Sequence, residues 1–447
     1  MDIKITPKKL KGTLPCVDSK SHAHRLIIGA ALSNHRVSSA FSNTTSGKNT
    51  NTTETYSEPC RVEITHPSED ITATQSVLSG IFKREKKLYC GESGSTLRFL
   101  LPLAGAVNTL FDHDLETVFY GEGKLPRRPI FPFDRELINH GCNINKSTTS
   151  NNEICTISGK LTGGKFCLPG DVSSQFITGL LMSLPLLREN SEIHITSELQ
   201  SQSYVDLTID VLTEFNIQID KAPFGYRIPG RQSYVAPGKV LTPEADWSQG
   251  AFWLTANALG SEINLPGLNP QSIQGDKAIE DVIRSFAAPI AEASGKKSTG
   301  TYERALTFKN DIIKFSENTF TIDAGNIPDL VPIISVLGAT TPGTTVITNA
   351  SRLRIKESDR IKTTCEMIKS IGGIITEKVD GMIIQGKTAL SGGRVDGAGD
   401  HRIVMSAAIA ASVCEDCVII KDAEAVNKSY PAFFDHYAEL GGKVDML

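Results

Sequence analysis

One device recurs six times along this chain and leaves few folds open to it. A short polar or glycine-bearing turn, with Asp or Ser near its end, leads into a helix that is apolar on almost every side. The six begin at Asp18 (DSKSHAHRLIIGAAL), Ser93 (SGSTLRFLLPLAG), Asp171 (DVSSQFITGLLMSL), Asp246 (DWSQGAFWLTANALG), Gly325 (GNIPDLVPIISVLGA) and Gly399 (GDHRIVMSAAIAASV). Their starts lie 75, 78, 75, 79 and 74 residues apart, a regularity that chance does not produce. More charged, amphipathic helices are predicted between them, over 72–82, 129–140, 204–215, 276–286, 358–371 and 431–440. β-rich runs such as 192–196, 262–265, 319–322, 345–347, 382–384 and 417–420 separate the helices. Each unit therefore holds two helices and several strands, too much for the ~20–50-residue repeat of a solenoid or propeller.

Six α/β units in 447 residues divide into two domains of three. The Pro- and Gly-rich stretch 230–243 marks the boundary between them. Residues 41–57 are nearly all Ser, Thr and Asn, cannot line a core, and read as a surface insertion in the first repeat. That repeat also lacks a closing strand pair between Phe82 and Tyr89.

Lys and Arg total 46 against 50 Asp and Glu, a net charge of −4, which argues against a nucleic-acid partner that would need a basic face. The most apolar stretch, 179–187, is interrupted by Ser183 and Pro185 and is far too short to span a membrane. The first residues carry neither an apolar core segment nor a cleavage site, so no signal peptide is expected. Nine cysteines spread along a chain of this size do not form a disulfide framework. The pair Cys414 and Cys417 has metal spacing but no second pair or nearby His to complete a tetrahedral set. The expectation is a turn running into a strand at 418–420, no metal, and a soluble cytoplasmic chain.

The beginnings of the apolar helices carry the most pointed polar residues. A helix N-terminus offers unpaired backbone N–H groups and a partial positive charge. Ser and Asp there serve as caps. Cations there oppose the dipole and need another reason, yet Lys20 and Arg25, Arg98, and Arg402 all fall in such places. An anionic ligand supplies that reason. Two further cationic clusters fit it: the loop 121–129 with Arg127 and Arg128, and 351–360, where Arg352, Arg354 and Lys356 alternate with aliphatic residues as on one face of a strand. Edge protection of a sheet is the alternative reading of that strand.

Taken in order, the motifs SKSxxxR (19–25), SGSTLR (93–98), RRPI (127–130), DVSSQF (171–176), IPD (327–329), RIKESDR (354–360) and DHR (400–402) resemble the enolpyruvyl transferases, most closely the 5-enolpyruvylshikimate-3-phosphate synthases. The resemblance spans nearly the whole chain. It implies a two-domain inside-out α/β barrel, each domain three βαβαββ repeats, closing on an interdomain cleft. Domain limits follow as 18–236 for the N-terminal domain and 1–17 plus 237–447 for the discontinuous C-terminal one. The implied reaction moves the enolpyruvyl group of phosphoenolpyruvate to the 5-hydroxyl of shikimate 3-phosphate, in aromatic amino-acid biosynthesis, with no metal or cofactor. By resemblance, Asp329 takes the hydroxyl proton, Glu357 protonates the methylene carbon, and Lys20 spans both substrates. Phosphoenolpyruvate falls to Lys20, Gly94, Arg128, Gln175, Arg360, Arg402 and Lys428. Shikimate 3-phosphate falls to Lys20, Ser21, Arg25, Ser173, Ser174, Gln175, Ser201, Tyr204, Asp329 and Lys356. A monomer is the implied state, with no nucleic-acid or membrane partner.

Two departures stand out. Glu92 occupies a position that is Asn in many relatives and is expected to point away from the anion site. Arg352 stands where some relatives have Asn. Two other readings compete: a UDP-N-acetylglucosamine enolpyruvyl transferase, and a non-catalytic phosphometabolite-binding protein. The first typically carries a reactive Cys on the loop matching 121–129, which here has Lys124 and no Cys. The second would lose Lys20, Asp329 or Glu357, and all are present.

Overall fold

The structure, a computed structural model, describes residues 1–35, 59–147, 152–293, 313–316 and 318–447; the expected insertion 41–57 lies outside them. The chain divides into two compact units, one of residues 20–243 and one of 1–19 with 244–447. Their limits differ by a few residues from those read off the sequence.

The unit of residues 20–243 contains helices α1 (Lys20–Asn34), α2 (Glu69–Lys83), α3 (Gly94–Leu110), α4 (Phe133–Asn139), α5 (Ser174–Ser183) and α6 (Gln202–Glu214). Its two four-stranded sheets share one order. In the first, Lys87–Tyr89 lies parallel to Thr117–Tyr120, followed by antiparallel Glu153–Gly159 and Cys142–Lys146; α3 and α4 connect them. In the second, Lys165–Leu168, Ser191–Ile195, Gly225–Ile228 and Asp220–Ala222 repeat the pattern around α5 and α6. Each is a βαβαββ unit. The register brings the same positions inward: Leu88, Phe119 and Cys155 stand side by side and buried, as do Phe166, Ile193 and Tyr226. The first repeat is abbreviated. Among its described residues a parallel bridge, Val62 to Leu241, stands in place of named strands, and after α2 the chain goes directly to Lys87–Tyr89, the opening strand of the next repeat.

The other unit holds α7 (Trp247–Ala258), α8 (Ile279–Ala293), α9 (Val331–Thr340), α10 (Arg360–Ser370), α11 (His401–Ala411) and α12 (Phe433–Glu439). Strands Thr319–Asp323, Thr344–Thr348, Gly381–Gln385 and Ile374–Lys378 repeat the same order, with Ile313–Ser316 added at the edge. The last sheet runs Gly393–Asp396, Val418–Lys421, Ile3–Thr6, Lys443–Met446. Here the N-terminal strand takes the place that an internal strand fills elsewhere. Lys11–Thr13 likewise pairs in parallel with Glu262–Asn264 beside α7, so residues 1–19 complete two repeats of this unit.

All eleven residues of α11 are buried, as is nearly all of α3, α5, α7 and α9. A helix apolar on all sides must lie inside. In this unit α7, α9 and α11 pack on one another; in the other, α3 packs on α5. Gly179 permits the latter, since a Cβ there would come within 2.3 Å of the Arg98 carbonyl oxygen. Ser93, Ser173, Asp246 and Asp400 cap their helices with side-chain oxygens, as their positions in the repeat suggest.

The segment expected as a strand with three cations on one face is instead a 3₁₀ helix, Ser351–Ile355. Arg354 turns aside there. It donates to the carbonyls of Lys378 (2.7 Å) and Val379 (3.0 Å) and pairs with Asp359 and Glu377. The helix expected over 129–140 is present but shorter, α4 beginning only at Phe133, and a separate 3₁₀ turn, Leu125–Arg127, precedes it. Cys414 and Cys417 lie in the turn between α11 and Val418–Lys421, with the Cys414 Sγ donating to the Ala410 carbonyl at 3.3 Å. Among the described residues no helix is long and apolar enough to cross a membrane.

Candidate active site

In the unit of residues 1–19 and 244–447, Arg360 is the hub. It opens α10 after the Asp359 cap and is 1% exposed. Its guanidinium donates to Asp400 through Nε (2.8 Å), to Asp329 through Nη1 (2.8 Å) and to Glu357 through Nη2 (2.6 Å). A buried cation of this kind is tolerable only with such hydrogen-bonded counter-charges. Asp400, wholly buried, also accepts from Ser358 Oγ at 2.8 Å and from the Arg402 backbone N–H at 3.0 Å. It thus caps α11 and anchors Arg360 at once. Arg402 reaches Asp329 Oδ2 at 3.0 Å, and Lys356 Nζ lies 3.6 Å from Asp329 Oδ1. Lys428 donates to the Gly399 carbonyl at 2.6 Å, beside the same turn. Arg352, buried, donates to the Gly325 carbonyl at 3.2 Å.

The electrostatics follow. Burial opposes ionisation of Asp329, but Arg402, then Lys356 and Arg360, outweigh it and hold its carboxyl well below the usual range. Burial pulls Lys356 down to about 8 despite Asp329. Burial likewise works against the Arg360 charge, and Asp400, Glu357 and Asp329 reverse it, so its pKa rises. A further carboxyl lies close by. Asp276, fully buried, takes a short hydrogen bond from Ser248 Oγ, and burial followed by the Asp329 charge pushes it up to about 6.

The unit of residues 20–243 presents a second set. Lys20, first residue of α1, pairs with Asp70 in the first turn of α2 at 2.8 Å. Arg25 is buried and donates to Thr208 Oγ1 (2.9 Å), the Tyr204 carbonyl (2.9 Å) and the Ser21 carbonyl (2.5 Å). Burial lowers its guanidinium to about 10, still charged at neutral pH. Ser201 sits at the N-cap of α6 with φ +55°, one of ten described non-glycine residues in the left-handed region. Ser173 accepts from the Gln175 N–H; Ser174 opens α5. Gln175 joins α5 to α3, donating to Ser95 Oγ (2.9 Å) and accepting from Arg98 Nη1 (2.7 Å). Gly94 is the first residue of α3. A Cβ there would meet Arg128 Nη1 at 2.7 Å and Arg98 Nη1 at 2.9 Å, so two guanidinium groups converge on that bare helix start. Glu92 lies over Gly123, where a Cβ would be 2.2 Å from its carboxyl carbon.

The sequence-derived residues therefore gather in two clusters, one in each unit. Asp70 and Asp276 were not legible as parts of them: both read as ordinary acids near a helix start. Cys90 lies next to the 121–129 loop, its N–H bonded to the Tyr120 carbonyl, but it is buried and burial raises its thiol, which makes it inert.

The chain matches the family described as EPSP synthase (3-phosphoshikimate 1-carboxyvinyltransferase) over residues 5–437. The 3-phosphoshikimate 1-carboxyvinyltransferase of Clostridium novyi (strain NT) is 41% identical over 99% of this chain and 98% of its own length. This chain belongs to the EPSP synthase family. The Clostridium acetobutylicum protein of that name is 39% identical over 99% of this chain and 98% of its own length. A solved EPSP synthase from Acinetobacter baumannii superposes over the whole of both chains with a TM-score of 0.68 at 20% identity, a likeness of fold. The two-unit α/β architecture is thus the EPSP synthase fold.

Proposed function

We propose that this chain transfers the enolpyruvyl group of phosphoenolpyruvate to the 5-hydroxyl of shikimate 3-phosphate and releases phosphate, a step of the shikimate pathway to aromatic amino acids. The observation that carries the reading is Arg360, buried and bound at once to Asp329, Glu357 and Asp400. Two carboxylates suited to proton transfer are thereby held on one guanidinium, with Arg402 and Lys356 beside them.

The chemistry needs a proton on the methylene carbon of the donor, loss of the acceptor's 5-hydroxyl proton, and formation of a carbon–oxygen bond. The tetrahedral ketal phosphate then loses a methyl proton and the phosphate, restoring the double bond. Glu357 delivers the methylene proton, and Asp329 accepts the hydroxyl proton. While Arg402, Lys356 and Arg360 hold it, Asp329 is a weak base. Substrate anions that draw Arg402 and Lys356 onto themselves relax that hold and strengthen it, so base strength is coupled to occupancy. Arg128, Arg360, Arg402, Lys428 and Gln175, with bare Gly94, hold the donor; guanidinium forks suit its phosphate and carboxylate. Arg25, Ser21, Ser173, Ser174, Gln175, Ser201, Tyr204 and Lys356 hold the acceptor, and Lys20 spans both. On this reading the enzyme is a cytoplasmic monomer acting on two small molecules without metal, cofactor, nucleic acid or membrane, and its two domains correspond to the compact units.

The test is phosphate release from phosphoenolpyruvate with shikimate 3-phosphate or with UDP-N-acetylglucosamine. Release with the first acceptor alone is expected. Release with the second alone assigns the other branch, and binding of both substrates without turnover makes the chain a binding protein.

A further inference from the structure

His24 has no part in the chemistry above, yet it is 1% exposed and sits one helical turn after Lys20 on α1. Thr74 stands in the same relation to Asp70 on α2. Two rungs therefore cross from α1 to α2. One is the Lys20–Asp70 ion pair at 2.8 Å; the other is His24 Nδ1 to Thr74 Oγ1 at 2.7 Å. The second continues into α3. Thr74 Oγ1 and Thr96 Oγ1 are 2.6 Å apart, and Thr96 donates to the Ser93 cap at 2.8 Å, beside Gly94 and Ser95. Thr74 and Thr96 both also reach the Asp70 carbonyl, at 3.2 and 3.4 Å.

The buried Nε2 of His24 favours one tautomer, with the ring proton on Nδ1 donating to Thr74 Oγ1 and the Thr74 hydroxyl donating onward to the Asp70 carbonyl. That Nε2 has no hydrogen-bond partner among the described residues, and the ring lies nearly perpendicular to Phe99 with centroids 6.1 Å apart. A proton on Nε2 would have no acceptor among the described residues and would feel the Lys20 and Arg25 charges. Burial, then those two cations, keep the ring neutral.

We propose that the His24–Thr74–Thr96 chain is the fixed rung that keeps the starts of α1, α2 and α3 in register while Lys20 leaves Asp70 for a bound anion. If Lys20 is to span two substrates, its pair with Asp70 must open, and that pair cannot then also serve as the brace. A neutral rung with no ligand to attend to can. His24 is thus a positioning residue, acting through Thr96 and Ser93 on the donor-binding turn at Gly94; this rests on the function proposed above.

The experiment compares His24→Leu, His24→Asn, Thr74→Val and Lys20→Met by amide hydrogen exchange at residues 93–97 and by steady-state kinetics. Asn carries an N–H at the position of the imidazole Nδ1, so it preserves the rung. Exchange at the α3 start is expected to speed up ~10-fold in His24→Leu and Thr74→Val, and to stay as in wild type in His24→Asn and Lys20→Met. The first two variants should also lose ~10-fold or more in kcat/KM for phosphoenolpyruvate, with His24→Asn rescued. Wild-type exchange in both His24→Leu and Thr74→Val, or equal loss in His24→Leu and His24→Asn, overturns the proposal. Faster exchange in Lys20→Met shows that the ion pair is the brace and also overturns it. The exchange readout needs no turnover, so it separates failure of this proposal from failure of the functional reading.

Discussion

Gly94→Ala is the substitution for which the structure gives the sharpest expectation. The added methyl would lie 2.7 Å from Arg128 Nη1 and 2.9 Å from Arg98 Nη1, whereas ordinary contact begins near 3.4 Å. The two guanidinium groups must retreat by roughly 0.5–0.7 Å, enough to take a charge-assisted bond of ~2.8 Å to the limit of hydrogen bonding. Loss of one such bond to a charged ligand costs ~1.5–3 kcal/mol, which is a roughly 10- to 150-fold rise in the half-saturating phosphoenolpyruvate concentration. The fold should not suffer. Side-chain ends move more readily than backbone, and Ala is favoured over Gly in a helix by up to ~1 kcal/mol. Phosphate-release kinetics at saturating shikimate 3-phosphate, with a thermal melt of the same samples, reads both quantities. An unchanged donor KM would remove Gly94 and Arg128 from the donor site. A melt several degrees lower would show that the glycine serves packing instead.

Asp329→Asn and Glu357→Gln should each lower kcat by ~10²–10⁴ with intact circular dichroism, and near-wild-type turnover in either refutes its assigned proton transfer. Lys356, pulled to about 8 by burial, carries its charge below that pH and loses it above. The half-saturating shikimate 3-phosphate concentration should therefore climb as pH rises through about 8. Lys356→Arg should remove that rise, and a flat wild-type profile from pH 7 to 9 contradicts the assignment.

The sequence made the repeat legible because four of the units announce themselves twice, by an oxygen-bearing cap at Ser93, Ser173, Asp246 or Asp400 and by a helix with almost no polar face. Those caps are local, so one strand of sequence contains them. The long-range part came only with the family resemblance, which assigned residues 1–17 to the C-terminal domain. Ile3–Thr6 and Lys11–Thr13 fill strand positions of repeats more than two hundred residues away, which no local pattern announces. The alternation over Arg352, Arg354 and Lys356 suggested a strand, but the carbonyls of Lys378 and Val379 capture Arg354 and the backbone coils instead. The site divides in the same way. Motif cations such as Arg360 and Arg402 were readable, while the carboxylates Asp70 and Asp276 acquire their roles only from partners remote in the chain.

The most direct test follows ¹³C-labelled phosphoenolpyruvate by NMR in the presence of enzyme and shikimate 3-phosphate. The expected product carries the label as an enol ether on the 5-oxygen, with one phosphate released per acceptor consumed. Labelled pyruvate formed by hydrolysis with the acceptor untouched, or donor left unchanged while both substrates bind, would contradict the central claim.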